Sequence, residues 1–293
     1  GARRRLVAAW GAGAAAALLA PAEAPAGNQD LLQRFNQDTL DKLPSGFIAP
    51  WGPSDLWYPD WMEGQWHVRA VLTNYSAPLG VQFVSNRGST LEMAQKTLDE
   101  QQKRLGETVE YDLRYLRTKR QHVAEDRRFN AAARLDAYAG RQVVRRVEYA
   151  DVPGSSREDA AKRGDGPEDP LLTTLIYFKG SVEKVFVTAF QSEEEPAEGA
   201  WRGSQSTRTL FAAPRAGYNP FAVDEEVLTE LRRREDGTVA GRVRLLGFLN
   251  PQDPQFFSTG NKAVTIAQYS LELSKAPAEP ATAAAPAAAA APA

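Results

Sequence analysis

The chain has 293 residues, with 35 basic and 37 acidic residues interspersed along it, for a net charge of −2. This balance excludes the concentrated positive charge with which proteins bind nucleic acids or anionic membrane surfaces. The chain contains no cysteine, so disulfides, cysteine-based zinc sites, iron–sulfur clusters and thiol nucleophiles are excluded too.

Residues 1–24 have the three parts of a cleavable export signal. Arg3-Arg4-Arg5 precedes an apolar run from Leu6 to Ala20, and Ala22-Glu23-Ala24 follows it. The run is shorter than the roughly 20 residues that a membrane-spanning helix needs, so a retained signal anchor is the weaker alternative. Paired arginines before a weakly apolar core are typical of the twin-arginine route. The segment predicts export, to the thylakoid lumen in a plastid-bearing cell and to the periplasm in a bacterium.

Residues 25–55 are predicted to hold one short helix and an aromatic lead-in. Apolar residues between Leu31 and Leu43 follow helical spacing, and a stretch rich in Pro, Gly and Trp begins at Pro44. Four large aromatic residues crowd this lead-in and the start of the next segment, namely Trp51, Trp57, Tyr58 and Trp61. They are candidates for docking a partner. Alternatively, they fold back and cap the domain.

Residues 56–275 are predicted to form one β domain, because apolar residues alternate with polar ones along most of it. The alternation begins at Trp66–Leu72 and is clearer at Val109–Tyr115. Further predicted strands are Val143–Tyr149, Leu172–Phe178, Val182–Phe190, Ser204–Phe211, Val227–Arg234, Val239–Phe248 and Val264–Leu273. Lys179-Gly180-Ser181 and Glu235-Asp236-Gly237-Thr238 predict the turns of two hairpins.

Three other stretches depart from this pattern. Thr90–Leu105 has helical character, whereas Asp151–Pro170 and Glu193–Gly199 are predicted to be mobile loops. The acidic runs Glu193-Glu194-Glu195 and Glu225-Glu226 are expected to be solvated. Residues 276–293 are Ala/Pro low complexity and are predicted to be a disordered tail.

The predicted fold class is mainly β: an antiparallel up-and-down barrel of about eight or nine strands with one or two short helices. An open two-sheet sandwich is the alternative. Large aromatic residues at the positions predicted to face inward, Tyr111, Tyr115, Phe186 and Phe190, indicate a filled interior.

Two short motifs are assigned barrel-closing, structural roles. In Gly64-Gln65-Trp66, glycine permits a tight turn into the first strand, and the indole is expected to plug one end while its N–H finds a carbonyl. In Asp126-Arg127-Arg128-Phe129-Asn130, the guanidinium of Arg127 or Arg128 is expected to lock a barrel end through carbonyls or to hold a carboxylate.

The segment from Trp57 to Trp66 resembles the opening of an uncharacterised family of cyanobacterial and plastid proteins with a Tyr-Pro-acidic-aromatic and Gly-x-Trp signature. Val123–Asn130 is similar to the family's Asp-Arg-x-Phe-Asn segment, and Val264–Leu273 stands where the family has its last strand. The likeness covers about Leu56 to Leu273. It implies a plastid or cyanobacterial setting and a calycin-like barrel, and it implies no activity.

No catalytic residue, metal site or cofactor is predicted. The two histidines, His67 and His122, lack metal-ligand spacing, and neither a nucleophile elbow nor a phosphate-binding loop occurs. We therefore expect a non-enzymatic protein of the thylakoid lumen that docks on, or assists assembly of, a photosystem or another photosynthetic membrane complex. The alternative is lipocalin-like binding of an apolar small molecule such as a pigment, quinone or lipid. A third hypothesis is an enzyme with an unusual carboxylate site.

Overall fold

The computed structural model describes residues 31–42, 55–84, 90–118, 121–150, 174–212 and 221–276. Ten antiparallel strands form one sheet that curls into a half-barrel, so the prediction of a mainly β, antiparallel fold is confirmed. No helix within these ranges is both long and apolar enough to cross a membrane. The predictions for residues 1–24, for Trp51, for Asp151–Pro170 and for most of the tail lie outside the described residues.

The elements follow the alternation in the sequence closely. The strands are β1 Gly64–Ser76, β2 Thr108–Arg117, β3 Val123–Glu125, β4 Arg146–Tyr149, β5 Thr174–Phe178, β6 Ser181–Glu195, β7 Ala200–Ala212, β8 Phe221–Arg233, β9 Val239–Phe248 and β10 Thr265–Lys275. The helices are α1 Leu31–Asn36, α2 Leu91–Gln102, α3 Arg127–Ala139 and α4 Phe256–Thr259. Both predicted hairpin turns are present, with Gly180 at φ 84° and Gly237 at φ 82°.

The sheet order is β3-β2-β1-β10-β9-β8-β7-β6-β5-β4, so β1 lies between β2 and the last strand. Every neighbouring pair is consecutive in sequence except β1 and β10. β3 and β4 form the two sheet edges, and α3 follows β3 directly. This helix packs against β2 on one side and against β4 and β5 on the other. It therefore fills the gap between the two edges of the half-barrel.

The concave face of the sheet carries the main core, which is rich in aromatic residues. Buried side chains from β1, β2, β7, β8, β9 and β10 meet there, including Trp66, Tyr115 and Trp201. Tyr111, Phe190 and Tyr269 pack against them. Because strands as distant in the sheet as β2 and β7 share this core, their side chains fill the half-barrel at this end.

The convex face is covered by α1 and the segment after it. Leu31, Phe35 and Leu40 pack with a second set of buried residues: Leu228, Leu246, Phe248, Ala263 and Ile266. Within this layer Arg34 pairs with Glu226 at 2.7 Å, and Ser204 donates to the same carboxylate.

The expectation that Glu225-Glu226 is solvated is wrong for Glu226, whose exposed fraction is 0%. Alternation along β8 points this carboxylate toward α1, where a cation nearly 200 residues distant in sequence compensates the burial of its charge.

Two further predictions about β6 are wrong. Glu193–Gly199 is not a loop: β6 extends to Glu195 and pairs with β7, while residues 196–198 form a single 3₁₀ turn. Arg202 of β7 stabilises the extension because it binds Glu193 and Glu195. Phe186 does not face the core. A bulge between Val187 and Ala189 reverses the alternation, so Phe190 faces inward while Phe186 lies opposite Arg208.

Two boundaries differ from the sequence pattern. The first helix ends at Asn36 instead of continuing to Leu43, because Leu40 and Lys42 hydrogen-bond to the backbone of residues 261–263. The strand predicted from Val143 starts at Arg146, because the Asp136 carboxylate accepts the N–H groups of Val143 and Val144. Helix α3 was not predicted from the sequence.

Candidate functional site

Residues 55–63, which continue the aromatic lead-in, fold back against the main core on the concave face. The N–H of Tyr58 donates to the carbonyl of Val123, so this residue extends the sheet beyond β3. Its ring stacks on Trp201 at a centroid distance of 4.4 Å, and the indole N–H of Trp201 donates to the carbonyl of Trp57. The lead-in thus joins β3 to β7 across the concave face.

Trp201 needs the glycine two residues after it. A Cβ on Gly203 would overlap the indole of Trp201, which lies along β7 over that position. Only a residue without a side chain therefore allows the ring to lie flat against the strand and stack on Tyr58.

Gly64 and Trp66 are placed where the lead-in turns into β1. Gly64 has φ 113°, a backbone conformation that residues with a side chain rarely adopt. Trp66 is 1% exposed, its indole N–H donates to the carbonyl of Met62 at 2.7 Å, and the Lys275 ammonium lies 4.0 Å above its ring. The indole is therefore buried in the main core beside the start of β1.

The Asp126–Asn130 motif attaches α3 to the sheet. Asp126 caps the helix by accepting the N–H of Phe129, and the Arg127 guanidinium pairs with buried Asp55. Asn130 bonds both the N–H and the C=O of Arg114 on β2, at 2.7 and 3.1 Å, as an adjacent strand would. The Arg128 guanidinium lies 5.0 Å from the ring centre of Tyr149 on β4. The motif therefore contacts β2, β4 and the lead-in from one helix end.

A second ion pair links α3 to β3. Glu125 binds Arg134 at 2.7 Å and accepts from Asn130. Burial acts to raise the pKa of Glu125, but the guanidinium groups of Arg134 and Arg127 hold it below its usual value. Burial, together with the Glu125 carboxylate, raises the pKa of Tyr58 well above that of free tyrosine, so its hydroxyl stays protonated.

Beside the lead-in lies an open cleft of about 440 Å³. Its lining comprises Trp57, Tyr58, Pro59, Asp60, Trp61, Gln121, His122, Val123, Ser192, Glu193, Glu194 and Trp201. Trp57 stacks on His122 at a centroid distance of 4.7 Å, which joins the lead-in to the β2–β3 turn. We call this feature the aromatic cleft.

Arg117 fixes one wall of the aromatic cleft. Its guanidinium binds Asp60 at 3.0 Å, Glu63 at 2.8 Å and the carbonyl of Gln121 at 2.9 Å. Gln121 has φ 66°, the one non-glycine residue with positive φ in the described ranges. The cleft is thus held by side-chain bonds on both the lead-in and the β2–β3 turn.

Of the predicted docking residues, the structure brings Trp57, Tyr58 and Trp61 together in this cleft, and all three are half-buried. The sequence did not predict that His122, Trp201 and the glutamates at the end of β6, Glu193 and Glu194, line this cleft. The alternation around Trp201 is weak because Arg202 is also buried, 2% exposed and paired with Glu230. Only the fold brings these residues to the lead-in.

The described residues hold no group of three or more His, Asp or Glu side chains arranged for a metal ion. His67 lies on the exposed face of β1, 3.0 Å from Asp112, while His122 stacks in the cleft.

Residues 50–277 match the profile of a family described as a domain of unknown function, DUF6816. The match covers well over half of the chain, so the protein belongs to this family. Searches of curated proteins and of solved structures found no significant match.

Proposed function

We propose that this protein is a non-enzymatic docking protein of the thylakoid lumen, which contacts a photosynthetic membrane complex or assists its assembly through the aromatic cleft. The observation that carries the proposal is the contrast between the cleft and the interior. Trp66 and Tyr115 are buried on the concave face, whereas Trp57, Tyr58 and Trp61 are half-buried in the lining of the cleft.

Half-buried aromatic residues are suited to docking because they supply large contact areas at a low cost in conformational entropy. Here Tyr58 and Trp57 are already fixed, the first by stacking on Trp201 and the second by stacking on His122. A surface that is ordered before binding loses less freedom when the partner arrives. The packed concave face favours docking over the alternative of an enclosed pigment, quinone or lipid.

The proposed location rests on the sequence. The twin-arginine-like segment at residues 1–24 and the absence of cysteine suit a protein exported in the folded state. Protease protection of the full chain in fractionated plastids tests this part separately. Recovery in the stroma after fractionation would overturn the location without affecting the docking surface.

The docking proposal is tested on native gels of membranes solubilised from cells that express the full chain. We expect part of the protein to co-migrate with a photosynthetic complex, and Trp57→Ala with Trp61→Ala to abolish that co-migration. Phe257→Ser is the matched control, because Phe257 is an aromatic residue with 87% exposure and does not line the cleft. Wild-type protein that migrates only as free monomer would contradict the proposal.

A further inference from the structure

We infer that the aromatic cleft recognises a cationic side chain, lysine or arginine, presented by a basic segment of the docking partner. This inference rests on the proposed docking function and adds the chemistry of recognition. It is carried by two features of the cleft that act on the same kind of group: its aromatic rings and its carboxylates.

The rings supply the first feature. Trp57, Tyr58 and Trp61 are half-buried and line the cleft, and Trp201, which is 2% exposed, stacks on Tyr58. An ammonium or guanidinium group over the face of such a ring is attracted by the ring quadrupole, most strongly by tryptophan. The protein uses this contact elsewhere, since Lys275 lies 4.0 Å above Trp66 and Arg146 lies 4.0 Å above Tyr177.

The carboxylates supply the second feature. The described lining of the cleft contains Asp60, Glu193 and Glu194 but neither lysine nor arginine. Asp60 is bound by Arg117, and Glu193 lies 3.3 Å from Arg202, so part of their charge is already compensated. Glu194 is exposed and pairs in register with Trp201, and it forms no ion pair with any described residue. It is the carboxylate available to an incoming cation.

The neutral polar groups indicate a peptide rather than a small free cation. Gln121 and Ser192 line the same cleft and add amide and hydroxyl groups beside the rings. A peptide that places its cation among the rings brings backbone N–H and C=O groups to these side chains. A small quaternary ammonium ion has no hydrogen-bonding group and would leave both unused.

The test is a titration of the full folded chain, followed through the tryptophan indole N–H resonances by NMR. The probe is the acetylated, amidated peptide Gly-Lys-Gly-Lys-Gly, with the norleucine and glutamate analogues as matched peptides. We expect the lysine peptide to shift the resonances of Trp57 and Trp61 and to bind at least tenfold more tightly than either analogue, a difference that corresponds to about 1.4 kcal/mol. Equal binding of the norleucine peptide would overturn the inference.

Variants locate the contact. Glu194→Gln should weaken the lysine peptide about threefold, as expected for one exposed charge pair, and Trp61→Leu about tenfold. Glu198→Gln is the control, because this glutamate is exposed in the adjacent turn and lies outside the cleft lining. Unchanged affinity in Glu194→Gln would contradict the assignment of Glu194 as the carboxylate that binds the cation. The Glu194 side chain is exposed, so we expect this variant to fold normally.

Two further outcomes separate the proposals. Tetramethylammonium that binds as tightly as the lysine peptide would overturn the choice of a partner segment in favour of a small cation. Co-migration with a membrane complex that is lost in the tryptophan double variant, together with equal binding of the lysine and norleucine peptides, would leave the docking function standing and remove cation recognition.

Discussion

Helices α1 and α3 are both anchored by buried ion pairs, but they differ in how far along the sequence their anchoring partners lie. Helix α3 carries its anchors in five consecutive residues, Asp126–Asn130, and its partners are the neighbouring strands and the lead-in. Helix α1 lies before the family match, which starts at residue 50, and its anchor Glu226 is 192 residues distant.

The structural unit is therefore larger than the segment that matches the family. Leu31, Phe35 and Leu40 share a buried layer with strands β8 to β10, and Lys42 binds Asp224 at 2.6 Å. Removing residues before 50 would expose this layer and leave Glu226 and Asp224 without those two cations. The convex face is completed by a segment that the family match does not include.

Removing the α1 anchor should have the largest effect. Arg34→Met leaves the buried Glu226 carboxylate without its cation, and we expect the free energy of unfolding to fall by about 3–5 kcal/mol. Urea unfolding at pH 7 measures it. Arg69→Met is the control, since Arg69 and Glu272 form an exposed pair 3.7 Å apart that is worth less than about 1 kcal/mol. Equal losses in the two variants would mean that α1 is not a stabilising element.

The α3 anchor should give a smaller loss. Asn130→Ala removes the side chain that bonds both backbone groups of Arg114, and we expect a cost of about 1–3 kcal/mol. Hydrogen exchange should show faster exchange of the Arg114 amide. Asn36→Ala is the control, because its exposed amide bonds only to the Leu32 carbonyl. An Arg114 amide that stays equally protected in Asn130→Ala would rule out this anchor.

Glu183 on the concave face contrasts with the paired Glu226. Burial, and then the Glu225 carboxylate, raise the pKa of Glu183 from 4.5 to about 7. Between those pH values the folded protein keeps a proton that the unfolded chain has released, so the free energy of unfolding falls as pH rises. We expect a loss of about 1–3 kcal/mol over this range from urea unfolding at several pH values.

Glu183→Gln should flatten this pH dependence, because glutamine carries no proton to release. Glu235→Gln, at an exposed turn position, should leave it unchanged. If the free energy of unfolding of the wild-type protein rises from pH 5 to pH 7, other carboxylates dominate its pH dependence in this range.

The smallest effect is expected at the cap of α3. Asp126→Ala removes the acceptor for the Phe129 N–H and should cost about 1 kcal/mol, whereas Asp126→Asn should retain most of the stability. Thermal unfolding followed by circular dichroism measures both. A loss in the asparagine variant as large as that in the alanine variant would assign the effect to charge rather than to capping.

Local pattern was sufficient to predict most of the sheet. Alternation predicted nine of its strands, and glycine chemistry predicted the turns at Gly180 and Gly237. It missed β3, whose three residues Val123–Glu125 are all buried and therefore do not alternate. It also placed Phe186 inward, because a bulge has no signature in residue type.

The candidate site was predictable only in part, because most of its contacts are between residues distant in sequence. The crowding of Trp57, Tyr58 and Trp61 was visible, but Trp201 is 144 residues beyond Trp57, whose carbonyl it binds. Likewise, the sequence Glu225-Glu226 indicates solvated side chains, and only the fold shows that Arg34 binds Glu226. Side chains whose partners are chosen by the tertiary fold leave no local signal.

The pairing of β1 with β10 has a consequence for biosynthesis. Residues 64–76 emerge from the ribosome before the eight strands that separate them from their partner, residues 265–275, have been synthesised. Until then one side of β1 is an unpaired edge that can pair with another chain. The sheet is therefore completed only after the eight strands β2 to β9 have also been synthesised, and contacts of such high sequence separation predict slow folding. A chaperone that shields β1 would act during the synthesis of the intervening strands.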